Sequence, residues 1–300
     1  MGNCYTHSAG NHDMPQPHIR HHTPRSAFTL VEVAIVLVII GLLIGGVLQG
    51  KAMLEQARLQ SVLRDLGKYR DAYAQFVTVY GCKPGDMGAA GASVCVNKAS
   101  DKWAGVTDGD GNGYIGGPYK ADTTLTNTAE IYAAWQQLAA AGLMEGKYTG
   151  AAGTGATLGV NVPASQVTGA GYVLVSQDPV NAATSAKSPN YFYGDYGSAI
   201  RPGAFIIFGA ANTTANGGLT DGELLSPIDA YSVDRKADDG LPAVGTVMTY
   251  LSYPSGVANS CVVNTTSGVA PVASDGRAVA YNTTAKGRRC NLIYINDATK

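Results

Sequence analysis

Apolar and polar residues are distributed along this chain in distinct regimes. Residues 1–27 are hydrophilic and contain no apolar run of their own. Phe28–Gly50 is a nearly unbroken stretch of Val, Ile, Leu and Gly, 23 residues long, with Glu32 as its single formal charge. At ~1.5 Å rise per residue a helix of that length crosses the ~30 Å hydrocarbon core of a bilayer. Further on, Leu59, Leu63, Leu66, Tyr69, Tyr73, Phe76 and Tyr80 recur every three or four residues, with Arg58, Arg64, Asp65, Lys68, Arg70 and Asp71 largely between them. That is the spacing of an amphipathic helix with one apolar face. No proline falls between Phe28 and Tyr80, so the pattern predicts one continuous helix, membrane-spanning over 28–50 and amphipathic over 51–80. Gly41, Gly45, Gly46 and Gly50 are its soft points, each costing up to ~1 kcal/mol relative to Ala.

Residues 81–300 change character again, being rich in Gly, Ala, Thr and Asn and poor in charge. That length suffices for one domain with a sizeable core. Two helices are signalled by their ends. Asn127 followed by Glu130 reads as a capping box ahead of the stripe Ile131, Trp135, Leu138 and Ala139, with Gly142 as a stop. Ser226 reads as an N-cap before Pro227, with Asp229 completing an acidic first turn. Gly171–Ser176, Ala204–Gly209, Gly245–Leu251 and Asn291–Ile295 are predicted strands, apolar or alternating and bounded by Gly, Pro or Asn. The small-residue stretch Thr149–Gln166 is expected to be a surface loop. The fold class that results is α+β: a long N-terminal helix packed on a globular domain with an antiparallel sheet.

A carboxylate inside a membrane span is costly unless it meets a partner, which makes Glu32 a functional candidate. Ala27-Phe28-Thr29-Leu30-Val31-Glu32 resembles the prepilin cleavage motif of type IV pilins and type II secretion pseudopilins. The resemblance implies a cut after a small residue, here Ala27, by a prepilin peptidase, and N-methylation of the new terminus, Phe28. It also implies that Glu32 pairs with the N-terminal amine of a neighbouring subunit in a helical filament. Ala27 departs from the usual Gly before the cut. The likeness covers roughly residues 25–80 and is only architectural beyond them.

The leader 1–27 holds all five histidines, His7, His12, His18, His21 and His22. A metal-binding tract is one reading of them; an expression tag or an unstructured leader explains them more simply. Arg20 and Arg25 precede the span and Asp13 is the only acid there, which keeps the N-terminus cytoplasmic and sends the C-terminal bulk outward across the inner membrane. A chain beginning at Phe28 has no histidine, so Ser/His/Asp or Cys/His nucleophilic sites and imidazole metal sites are excluded from it. The net charge of −1 gives no basic signal for nucleic acid.

Without the leader's Cys4 an even set of four cysteines remains, Cys82, Cys95, Cys261 and Cys290. Their grouping suggests Cys82–Cys95 and Cys261–Cys290 disulfides in an oxidising compartment, although four cysteines allow three connectivities. Neither pair has zinc-ribbon spacing. Asp108-Gly109-Asp110-Gly111-Asn112-Gly113-Tyr114 alternates oxygen side chains with glycines. Calcium is the cofactor such a loop would take, through Asp108, Asp110, Asn112 and the Tyr114 carbonyl. The twelfth position is Tyr119 instead of Glu, so Asp122 or Glu130 would have to complete the shell; a Gly/Asn/Asp turn that binds nothing is the competing account. Asp234, Asp238 and Asp239, with Arg235 and Lys236 among them, are expected to form a solvated helix face without a catalytic role. The chain reads as a non-enzymatic, pilin-like subunit, a minor pilin or pseudopilin by its size. The alternative is a signal-anchored exported enzyme or carbohydrate-binding module.

Overall fold

Helix α1 runs without interruption from Leu30 to Tyr80, as the absence of proline dictates. The computed structural model describes residues 2, 28–88, 103–111, 113–116, 130–151, 155–177, 203–211, 219–242, 245–249, 261–264 and 279–296. The architecture is α+β, a long apolar N-terminal helix followed by a globular part with an antiparallel sheet. Contacts divide the chain into two units, Met1–Ala52 and Met53–Lys300.

In the first unit the residues from Phe28 onward are exposed without exception, Leu30 at 86% and Leu42 at 73%. The apolar part of α1 is long and hydrophobic enough to cross a membrane.

In the second unit the amphipathic stripe of α1 is buried at Leu59, Val62, Leu66, Tyr69, Tyr73, Phe76 and Tyr80. Helix α2 (Glu130–Ala140) is buried along most of its length. Its Trp135 ring meets Tyr69 edge-on at 5.0 Å. Gly142 ends the helix at φ 77°, with Gly142 N–H donating to the Ala139 carbonyl and Leu143 N–H to that of Leu138, each within about a tenth of 3.0 Å. This is a Schellman stop, which requires a residue free to adopt positive φ.

Strands β1 (Ala170–Gln177), β2 (Gly203–Ala210), β3 (Val247–Met248) and β6 (Leu292–Asn296) form one antiparallel sheet in the order β1-β2-β6-β3. Tyr172 pairs with Phe208 and Leu174 with Ile206, so these four share a face. Tyr172 meets Tyr69 of α1 at 5.0 Å, and its hydroxyl donates to Asp65 Oδ2 at 2.9 Å. Strands β4 (Val262–Asn264) and β5 (Val279–Tyr281) make a separate two-stranded sheet. Helix α3 (Pro227–Ala237) starts as its sequence dictates, with Ser226 Oγ accepting from the Asp229 amide at 3.2 Å and Pro227 in the first turn.

Two expectations change. Of the predicted strand Gly245–Leu251, Val247–Met248 forms the strand among the described residues, with the Thr246 carbonyl before it accepting from Ile295 N–H at 2.8 Å; Tyr250 and Leu251 lie outside the described residues. The stretch Thr149–Gln166 is partly internal: Asn161 is buried, and its amide donates to the Ala151 and Gly155 carbonyls at 3.0 and 2.9 Å while its oxygen accepts from Thr157 N–H at 2.7 Å. One buried amide that satisfies three backbone groups lets a small-residue segment pack where composition alone implies solvent.

Candidate functional site

At the start of α1, Thr29 and Glu32 form a reciprocal cap. The Thr29 amide and hydroxyl donate to Glu32 Oε2 at 2.9 and 3.0 Å, and the Glu32 amide donates to Thr29 Oγ1 at 3.2 Å. This is a capping box, whose sequence sign is Thr29-x-x-Glu32. Helicity therefore starts at Leu30, two residues after Phe28. Phe28 is 83% exposed; Ala27 lies outside the described residues.

The most concentrated chemistry lies where three segments meet: the exit of α1 (Gly81–Gly88), residues 103–116, and the N-terminal turn of α2. Gly109 crosses the α1 exit so closely that a Cβ there would stand 2.6 Å from the Asp86 Cα, and its amide donates to the Met87 carbonyl at 2.9 Å. Gln137 of α2, fully buried, accepts from the Gly85 amide at 2.6 Å and donates to the Thr107 carbonyl at 2.9 Å. Gln136 accepts from the Thr107 amide at 2.8 Å. Ile115 N–H donates to Ser176 Oγ at 2.5 Å, and Ser176 N–H to the Ile115 carbonyl at 3.2 Å, tying the loop to β1.

These ties gather Asp86, Asp110 and Glu130, whose carboxylate oxygens lie within 4.8 Å of one another. Asp86 and Glu130 are buried and Asp110 is exposed. Glu130 Oε1 accepts from the Asp110 amide at 2.9 Å and Oε2 from the Gly116 amide at 2.6 Å; Asp86 Oδ2 accepts from the Gly113 amide at 3.0 Å. Burial first, and the charges of Asp110 and Asp86 after it, push the Glu130 carboxyl up to about 8, against the pull of the two amides. Three such carboxylates can hold a metal ion.

The Glu130 carboxylate is taken up by the amides of the crossing loop, which satisfy it where it is buried. Its expected partner Asn127 lies outside the described residues, as do Asn112, Tyr119 and Asp122. Of the expected calcium ligands, Asp110 belongs to the gathered group, whereas Asp108 is exposed and outside it. Tyr114 has Lys83 Nζ 5.0 Å above its ring. Asp86 was missed: only the Lys83-Pro84-Gly85-Asp86 turn marks it in the sequence, far from the aspartate-glycine motif.

Cys261 and Cys290 form a disulfide. Cys82 is also disulfide-bonded, and Cys95 lies outside the described residues. The solvated helix face expected of Asp234, Asp238 and Asp239 is corrected for Asp234, which has 0% exposure, while Asp238 and Asp239 are exposed. Asp234 accepts from Tyr281 Oη at 2.9 Å and from the Gly240 amide at 3.1 Å. Its neighbours Arg235 and Lys236 are exposed, whereas Asp238 and Asp239 stay close to it in space.

Residues 23–48 match the family model for the prokaryotic N-terminal methylation motif, the signature of type IV pilins and pseudopilins. No curated protein and no solved structure shows significant similarity to the chain. Together with the exposed apolar helix, the motif fits a subunit anchored in the inner membrane. It implies processing by a prepilin peptidase and assembly with other pilins.

Proposed function

We propose that this chain is a pilin-like structural subunit, a minor pilin or pseudopilin, and not an enzyme. It waits in the inner membrane as a precursor with residues 1–27 in the cytoplasm, 28–50 across the bilayer and 81–300 exported. A prepilin peptidase cuts between Ala27 and Phe28, the new amine is methylated, and α1 carries the subunit into a helical filament. The observation that carries this reading is the methylation motif at 23–48, set on a helix whose apolar half has no intramolecular partner among the described residues. In this reading the cap leaves Glu32 Oε2 satisfied within the subunit, and a neighbour's amine answers the charge, an attraction far stronger in low dielectric than in water.

Mass spectrometry of the protein from cells that hold a prepilin peptidase is expected to show a chain that starts at N-methylated Phe28. Ala27→Glu should block the cut, since a small residue is needed there. Glu32→Ala should insert normally, or better, yet fail to enter filaments. Recovery of assembled subunits that still bear the leader would overturn the reading.

A cation belongs to the same proposal. The residues that would hold calcium are Asp86, Asp110 and Glu130, with Asp110 shared between this set and the aspartate-glycine motif of 108–114. Hard carboxylate oxygens suit it, and a dication would replace the proton that burial keeps on Glu130. Its work there is structural: it would bind the α1 exit, the crossing loop and α2 into one unit.

A further inference from the structure

The small β4–β5 sheet is fastened at two places by different chemistry, to the segment before β6 and to the C-terminal turn of α3. One is covalent. Cys261, immediately before β4, is bonded to Cys290, and the Asn282 amide just after β5 donates to the Cys261 carbonyl at 2.9 Å. The other is a carboxyl group: Asp234 receives Tyr281 Oη of β5 and the amide of Gly240.

The surroundings of Asp234 are acidic. Asp238 and Asp239 bring carboxylate oxygens within 4.8 Å of it. Asp238 accepts from the Thr246 amide, and Asp239 from the Leu241 amide at 2.8 Å. Arg235 is turned to Tyr231 Oη at 3.4 Å, and Lys236 is exposed. From β5 comes Tyr281, whose ring lies 6.0 Å from that of Tyr231; β3 (Val247–Met248), also packed against α3, brings no titratable group. The last carbonyls of a helix add further negative potential at this end.

We propose that this turn is a pH-sensitive latch: with Asp234 protonated it fastens the β4–β5 sheet and the Gly240 turn to α3, and rising pH releases both, while the Cys261–Cys290 bond keeps the sheet tied to the segment before β6. Burial first, then the charges of Asp239 and Asp238, raise the Asp234 carboxyl to about 7, while the Tyr281 and Gly240 donors pull it down without prevailing. Opening hydrates the carboxyl and returns it toward ~3.9. The closed form is therefore favoured fully below pH ~4. It loses ground as pH rises toward about 7, and changes no further above that, because the group is then ionised in both forms. In between, opening releases one proton, so the opening constant grows up to about tenfold per pH unit.

Hydrogen exchange of the full-length chain in detergent reads this directly, with intrinsic exchange rates subtracted. Amides of 227–240 and 279–283 are expected to lose protection steadily from pH 4.5 to 7 and to level off above it, while amides of α2 hold theirs. Asp234→Asn, which mimics the protonated acid, should abolish the dependence. Asp239→Asn, which keeps the latch and removes one facing charge, should move the levelling point to lower pH. Protection in the parent that ignores pH, a dependence that survives in Asp234→Asn, or an unmoved levelling point in Asp239→Asn would each overturn the latch. The step's use to a cell rests on the proposed export, but the measurement stands apart from it: a chain never cut at Phe28 would still show the latch.

Discussion

The two parts of α1 obey one helical geometry and opposite rules of burial. From Leu30 to Gly50 large aliphatic side chains point in every direction, and all of them are exposed. From Leu59 to Tyr80 a single stripe is apolar, and the chain buries it. An all-round apolar surface has no solution within one subunit, so it anticipates a bilayer or other copies of the same helix. A one-sided stripe anticipates its own domain. The contrast shows which half of the helix belongs to the molecule and which to its surroundings, without any residue of special chemistry.

That contrast is broken most sharply in the core. Trp135 is fully buried against Tyr69, and Trp135→Ala should cost ~3–5 kcal/mol by lost transfer and cavity formation. Leu42→Ala, at 73% exposure in the apolar half, should leave the unfolding of the globular unit unchanged. Denaturant unfolding of both variants, as full-length chains in one detergent, compares them. A large loss in Leu42→Ala would mean that the apolar half is part of the folded core after all.

Much of this was legible because it is periodic or local. The 3.6-residue recurrence from Leu59 to Tyr80 gave the buried stripe, and Ser226-Pro227 with Asp229 gave the start of α3 to the residue. The sheet strands β1, β2 and β6 were visible as apolar runs between turn residues. What escaped depends on contacts distant in sequence. Asp86 joins Asp110 only because Gly109 lets two backbones cross. Glu130 was legible as a candidate to complete the loop's ligand shell, but no local rule connects its carboxylate to the amides of Asp110 and Gly116. Asp234 sits among charged neighbours in sequence and among Tyr281, Gly240 and two further acids in space. Helical phase decides that burial, and the phase of a short helix with few apolar residues is weakly encoded.

The second prediction sharpens the comparison within the globular unit, where order need not come from apolar packing alone. If calcium joins Asp86, Asp110 and Glu130, a concentration a hundredfold above its dissociation constant stabilises the fold by ~2.7 kcal/mol. Glu130→Gln removes one negative ligand and leaves one acceptor for the two amides of Asp110 and Gly116, so the variant should lose the response to calcium and start from a lower midpoint in chelator. Thermal unfolding with calcium and with chelator, parent against variant, is the measurement. A parent whose midpoint ignores chelation would mean that the crossing loop is held by its hydrogen bonds to the protein and not by an ion.

The smallest effect belongs to a fully local device, the start of α3. Ser226 Oγ satisfies the Asp229 amide, one of the donors that a helix leaves without an internal partner at its first turn. Ser226→Ala removes that acceptor while Pro227 still sets the first helical φ, so the loss should be ~1 kcal/mol. Because α3 carries the Asp234 latch at its opposite end, a frayed first turn should lower exchange protection at Asp229 and Ala230 and leave the pH at which residues 227–240 level off where it was. If Ser226→Ala shifts that pH as well, the two ends of α3 open as one unit, and the latch must then be assigned to the whole helix instead of its last turn.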